Sequence, residues 1–271
     1  MPSQSEHDDD TVTLRSVQRY GWVPDLPDAR DFLYAAPEAV LAELPTSVDL
    51  RPQCPPVYDQ GKLGSCTANA IGAAFEYQQV RSGLQDFMPS RLFIYYNERR
   101  IEGTVDEDGG AMIRDGIKSV HRQGVCSEAT WPYDIARFAE RPPAAAYREA
   151  KDHQATVYRR VLPVLHQLQG CLAAGTPFVF GFSVYESFES PEVARTGVVP
   201  LPPRGERLLG GHAVLAVGYD DAEQRFIVRN SWGTGWGMDG YFTMPYAYVT
   251  NPALAADFWA VYAVEKPPLA Q

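Results

Sequence analysis

The apolar residues of this chain change period near Thr176, and that change limits the possible folds more than any other feature. Upstream, the spacing predicts helices. One starts at Cys66, runs through CTANAIGAAFEYQQVRSG and stops at Gly83. Alanine-rich sequence has high helix propensity, and the small side chains at 68, 70, 73 and 74 permit close burial. Further helices are predicted over 89–101, 111–124 and 161–175, the last with Leu165, Leu168 and Leu172 at helical spacing and Gly175 as its C-cap. Downstream, PFVFGFSV, HAVLAVGYD, RFIVRNS, GYFTM and FWAVYAV are short, β-branched and aromatic, and bounded by Gly, Asp or Pro, so they read as strands. The segment 186–209 reads as an irregular loop, extended where proline is frequent. Helices followed by strands imply an α+β fold of two lobes. The helical left lobe is expected over about 47–150 and a largely antiparallel β right lobe over about 151–271.

A chain of 271 residues, 45% hydrophobic and 21% charged, can bury a sizeable core without staples. Its net charge of -10 and the lack of any basic block argue against nucleic acid and anionic membrane as partners, since both need concentrated positive charge. No apolar run approaches the roughly 18 residues of a membrane helix. The first residues, MPSQSEHDDDTVTLRS, lack the charged and apolar regions of a secretory leader. A cytoplasmic location, or export without such a leader, is expected, and a monomer with it. Residues 1–18 are acidic and expected to be disordered. Residues 19–46 differ: Trp22, Phe32, Leu33 and Tyr34 require a surface to pack on, while Pro24 and Pro27 forbid a regular helix. They read as an ordered arm on the main domain. The cysteines at 54, 66, 126 and 171 form no CxxC pair, and the five histidines show no HxxxH spacing, so no metal or other cofactor is expected.

Three stretches carry chemistry: YDQGKLGSCTANA around Cys66, GGHAVLAVGY around His212 and NSWGTGWGMDGY from Asn230. In the first, a Gly-Ser loop leads to a cysteine in the first turn of a helix. The partial positive charge at a helix N-terminus favours thiolate over thiol, so position alone is expected to activate Cys66, and a nearby imidazolium would add to the effect. Gln60 lies on the same loop, where its amide can join the Cys66 N–H in stabilising an oxyanion. His212 follows a glycine pair and is read as opening a strand, at the edge of a cleft between lobes. Asn230 ends another strand, and a carboxamide there can fix the imidazole tautomer. An indole at Trp232 would exclude water from that bond.

These stretches, in the order Gln, Cys, His, Asn, resemble the papain and cathepsin family of cysteine peptidases over about residues 47–265. The resemblance implies that Cys66 is the nucleophile, His212 its general acid and base, Asn230 the orienting residue and Gln60 the oxyanion-hole amide. It implies a polypeptide substrate. It places Trp232 over the histidine and Trp236 beside it. Gly109 and Gly110 match the glycine pair whose backbone binds extended substrate, and Gly64, Ser65, Gly211 and Ala213 border the reacting groups. Met112, Gly181 and Ala213 approximate the walls of the S2 pocket, with Asp257 near its floor, where it would admit a basic side chain.

The chain departs from the family pattern where Leu63 and Thr67 replace a cysteine and a tryptophan, and where no cysteine precedes Gly109. The family's disulfides are therefore expected to be mostly or wholly absent, as in bacterial relatives. Residues 1–46 are too few for the full inhibitory prodomain. The 19–46 arm is then either a short substitute crossing the cleft or a belt packed elsewhere. The alternatives to peptide hydrolysis are a silent or autoinhibited binding protein of the same fold and a thiol acyltransferase or transpeptidase, which would use the same thioester.

Overall fold

A computed structural model of the chain describes residues 20–265; the acidic segment 1–18 lies outside them. The first half supplies β1 (Trp22–Val23), α1 (Glu38–Ala42), β2 (Ser47–Asp49), α2 (Cys66–Arg81), α3 (Arg91–Glu102), β3 (Ala111–Met112), α4 (Ile113–Gln123) and α5 (Ala144–Ala150). The second supplies β4 (Gln154–Arg160), α6 (Leu165–Ala173), β5 (Phe178–Tyr185), α7 (Pro191–Thr196), β6 (Leu208–Asp220), β7 (Arg225–Arg229), β8 (Tyr241–Pro245), α8 (Tyr246–Val249) and β9 (Ala255–Glu265). The main sheet runs β4-β9-β5-β6-β7-β8 with β2 added to β6, all pairs antiparallel. Helices α2, α3 and α4 pack together on one side, and α2 meets β6 and β9 across the middle. This is the two-lobed α+β architecture the change of period implies.

Helix α2 is buried from Cys66 to Gln79, wrapped by helices on one flank and the sheet on the other. Its run of Ala and Gly permits that, because small side chains let neighbouring backbones approach on every side. No side chain caps its start at Ser65. The first-turn N–H groups, which have no partner within the helix, are left without a side-chain cap. Helix α3 begins where Ser90 Oγ accepts from Phe93 N and ends at Gly103 with φ 78°, the left-handed stop that glycine allows.

Several elements were not anticipated. Strand β4, QATVYRR, carries charge and sits at a sheet edge with only Ala155 fully buried, so it lacks the apolar signature of the interior strands. The loop read over 186–209 contains α7, capped by Ser190 and closed by Gly197 at φ 67°. His212 does not open its strand: β6 begins at Leu208 and pairs His212 with Phe182. Strand pairing extends back through Gly210 and Gly211, where the missing side chains leave room for the arm.

The arm serves in both of the expected places. Residues 20–25 lie in the junction between lobes, described below. Residues 32–34 extend the sheet edge, where Arg160 N donates to Phe32 O at 2.8 Å and Tyr34 N to Arg160 O at 2.8 Å. Helix α1 then rests on α6, so close that a Cβ on Gly170 would lie 2.7 Å from Leu41 Cδ2 of α1 and 2.6 Å from the Cβ of the preceding Ala36. Tyr34 is buried, but Phe32 and Leu33 are 69% and 56% exposed, contrary to the packing expected of them. Their backbones hold the edge while their side chains face outward, Phe32 beneath the Arg159 guanidinium at 5.1 Å.

Candidate active site

Cys66 and His212 meet where the start of α2 abuts β6. The backbone N–H of Ala213, next to the histidine, donates to Cys66 Sγ at 3.4 Å. His212 Nε2 lies 2.8 Å from Asn230 Oδ1, and the same oxygen accepts from Ser231 N at 2.9 Å. The second bond fixes the carboxamide with its oxygen toward the ring. Nε2 is then the protonated nitrogen, and Nδ1 is the one able to accept a proton. Trp232 covers the pair, its ring 5.0 Å from that of His212 and tilted by 31°. Gln60 is anchored at both ends of its amide: Oε1 accepts from Ser231 Oγ at 2.6 Å and Nε2 donates to Leu63 O at 2.8 Å. A carboxamide nitrogen carries two hydrogens, so one remains for an oxyanion.

Thr67, at the position of the family's tryptophan, donates to Glu98 Oε1 at 2.6 Å. Glu98 is fully buried behind Cys66, and burial holds its carboxyl well above the usual range despite the bond from Thr67.

The arm occupies the site. The Gly21 backbone lies against the Cys66 sulfur, where its N–H favours the anion, and Gly21 O accepts from Ala111 N at 2.8 Å. Strands β1 and β3 are thereby paired in parallel, Trp22 beside Ala111. Only glycine fits here: a Cβ on Gly21 would lie 1.7 Å from Gly64 O, and one on Gly110, at φ 81°, would lie 2.2 Å from Gly21 O. The Trp22 indole fills the space over Gly181 and Gly211, whose added Cβ atoms would come within 2.0 and 2.5 Å of it. Its Nε1 donates to Asp257 Oδ2 at 3.1 Å, as does Asp25 N at 2.8 Å. Asp257 has φ 59°, a conformation that costs a non-glycine residue of order 1 kcal/mol and turns its carboxylate toward the arm. Tyr20 sits edge-on to His212, 5.9 Å away, and its hydroxyl bonds Glu189.

Burial beneath the arm overrides the activation expected from the helix terminus. Desolvation pushes the Cys66 thiol up to about 12, although N–H groups of Ala213, Gly21 and Thr67 favour the anion. Burial beneath the arm disfavours the thiolate, and exposure to solvent would relieve that cost.

Of the residues expected to border substrate, Gly64, Gly110, Gly181, Gly211, Ala213 and Trp232 lie against the arm or the reacting groups. Gly109 is exposed beside Gly110, with open space around its α-carbon. Three others are placed differently. Ser65 turns into the helical lobe, its hydroxyl 2.5 Å from Tyr133 Oη. Trp236 is buried beneath Trp232 and packed on Phe188 and Phe242, so it supports the cover rather than lining the cleft. Met112 pairs with Val23 and borders a cavity with Leu26 and Arg114 on the flank of α4, away from the Trp22 indole's two glycines. Tyr20, Trp22 and Asp25 were missed as occupants of the site; the only sequence signal was an apolar tryptophan among prolines. Among the described residues no cluster of three potential metal ligands occurs, and no helix is long and apolar enough to cross a membrane.

Asp25 makes arm docking sensitive to pH. Burial, and then the like charge of Asp257, raise its pKa from 3.8 to about 6 in the docked arm, against the bonds from Arg114 N and Trp259 Nε1. A raised carboxyl contributes to docking fully below its free value and loses that contribution as pH rises through the docked value. Arm release should increase about tenfold between pH 4.5 and 7.5. Comparing Cys66 alkylation in the native chain with that in Asp25→Asn checks this; a ratio constant with pH would contradict it.

Comparison with known proteins places these features in context. The sequence model of the papain family of cysteine proteases matches residues 44–257. The crystal structure of xylellain, a cysteine protease from Xylella fastidiosa, superposes with TM-score 0.85 at 47% identity, covering 94% of this chain and 99% of that one. A procathepsin B of Trypanosoma congolense superposes with TM-score 0.72 at 20% identity over 91% of this chain and 86% of its own, a likeness of fold. In sequence, an uncharacterized peptidase C1-like protein of Acanthamoeba polyphaga mimivirus is 41% identical over 95% of this chain and 90% of its own length. A cathepsin B-like protein of Giardia intestinalis is 31% identical over 78% and 73%.

Proposed function

The chain belongs to the papain family of cysteine proteases, and on that premise we propose that Cys66 and His212 hydrolyse peptide bonds through a thioester, with residues 20–25 as a built-in blocker. The observation that carries the reading is the His212 Nε2–Asn230 Oδ1 contact together with the N–H of the next residue, Ala213, on Cys66 Sγ. Once the sulfur is exposed, His212 Nδ1 takes its proton and the thiolate attacks the substrate carbonyl. The oxyanion rests on Gln60 Nε2 and the Cys66 N–H at the open start of α2. The imidazolium then protonates the leaving amine, and the neutral ring activates water to release the acyl group. Gln60→Ala should lower kcat about 100-fold with little change in KM, because its donor acts mainly on charge developed in the transition state. A fluorogenic peptide substrate checks this, and a fall confined to KM would contradict the assignment.

The arm supports the blocked state because it offers no carbonyl to the sulfur. The group at Cys66 is the Gly21 N–H, while the Gly21 carbonyl is engaged by Ala111. It sits as an unreactive strand beside the glycine pair. Its indole also probes the pocket. Asp257 receives a donor N–H from Trp22, and Arg160 lies 3.5 Å from its other oxygen. A substrate with arginine in that pocket can replace the indole donor. Asp257→Ala should then lower kcat/KM for an arginine substrate about tenfold more than for a leucine one, as paired dipeptide substrates would report. Equal losses would remove Asp257 from substrate choice.

A further inference from the structure

We propose that Asp108 is a positioning residue that holds the nucleophile loop in register with the substrate-binding strand and so shapes the oxyanion hole. Both oxygens of its carboxylate accept from Gly64 N, at 3.0 and 3.1 Å, two residues before Cys66. Tyr95 on α3 donates to the same carboxylate at 2.5 Å, and its oxygen accepts from Gly110 N at 3.3 Å. One anion and one phenol thus bind the Gly64 amide, the Gly110 amide and the interior of α3 into a single cluster.

The support behind it is rigid. Arg99, fully buried, donates to Val105 O, Glu107 O, Tyr95 O and Phe138 O and stacks on the Tyr95 ring at 3.9 Å. It fixes both the phenol and the loop that presents Asp108. All four cysteines are free, so no covalent bond ties the 104–110 loop to the nucleophile loop. On the far side, Gln60 Nε2 binds Leu63 O, one residue before Gly64. The peptide planes between Gln60 and Cys66 are therefore held from two sides, by Gln60 and by Asp108, and these planes set where the Cys66 N–H points. Hydrogen bonds to a charged acceptor are about twice as strong as neutral ones, which suits a tether that must hold a loop of glycine and serine without a disulfide.

This inference rests on the assignment of Cys66 as nucleophile, and its test separates the two. In the full chain carrying Gly21→Ala to free the cleft, Asp108→Ala and Asp108→Asn are compared by two probes of Cys66. Iodoacetamide alkylates the sulfur without using an oxyanion hole. A peptidyl aldehyde adds reversibly: sulfur bonds the carbonyl carbon, the thiol proton ends on oxygen, and that oxygen occupies the hole. Asp108→Ala should weaken the aldehyde about 30-fold while the iodoacetamide rate per titratable thiol stays within about twofold. Asp108→Asn keeps an acceptor oxygen for Gly64 N–H and should recover most of the aldehyde affinity. Unchanged aldehyde binding in Asp108→Ala would overturn the proposal, as would parallel losses with both probes or an asparagine variant no better than alanine. Failure of Cys66 to react with either probe in the parent would instead overturn both the nucleophile assignment and the role built on it.

Discussion

Replacing Gly21 with alanine should raise the alkylation rate of Cys66 in the full chain by about 100-fold. The added Cβ would sit 1.7 Å from Gly64 O. That atom cannot move aside, because it belongs to the nucleophile loop held by Asp108 and Gln60. The arm must lift instead. Lifting it also withdraws Trp22 from the pocket over Gly181 and Gly211 and breaks its bond to Asp257. A net loss of about 3 kcal/mol in docking corresponds to roughly 100-fold in exposed sulfur. The thiol, no longer desolvated, should then ionise at far lower pH than the value of about 12 that burial imposes. Trp22→Ala should act in the same direction, since truncating a buried indole typically costs about 3–5 kcal/mol. Neither change replaces Cys66, His212, Asn230 or Gln60. A Gly21→Ala chain alkylated no faster than the native one would mean that the arm does not guard the sulfur in solution.

In that same opened chain, Cys66→Ala should reduce kcat/KM for a peptide substrate by at least about 10⁴-fold, because no other group can form the thioester. Cys54 is the least buried of the remaining cysteines, yet burial pushes its thiol up to about 11, and it lies outside the site, bonded to Leu50 O. The fold should survive. The lost sulfur leaves Ala213 N–H short of an acceptor, which costs about 1–2 kcal/mol, a shift that thermal unfolding would register. Residual cleavage above that level would point to another nucleophile.

The proposed reacting groups stand out in the sequence because each sits in a stretch whose local chemistry is unusual. A cysteine follows a Gly-Ser loop, a histidine follows two glycines, and an asparagine stands two residues before a tryptophan. The helices and interior strands were legible for a similar reason: their apolar spacing reflects neighbours on the same element. The arm was not. The residues that receive Trp22, namely Gly181, Gly211 and Asp257, come from three separate strands, and a glycine at 21 gives no hint of the carbonyl it must pass. Asp257 was singled out as a pocket floor, but the left-handed backbone that aims it depends on a break in the pairing of β5 with β9. Strand β4 escaped notice because its edge position lets charged residues stand where interior strands need apolar ones. Ser65 and Trp236 were placed correctly along the chain and wrongly in direction, since the rotation of a side chain about its element is set by partners such as Tyr133 and Phe242 that lie far away in sequence.

The most direct test of the account is to treat the native chain and Gly21→Ala side by side with an epoxysuccinyl probe under reducing conditions, then read intact mass and map the adduct. The account predicts slow labelling of the native chain and rapid addition of one probe per molecule at Cys66 in Gly21→Ala, lost when His212→Ala is added. Labelling at Cys54, labelling indifferent to His212, or no adduct in the opened chain would contradict it.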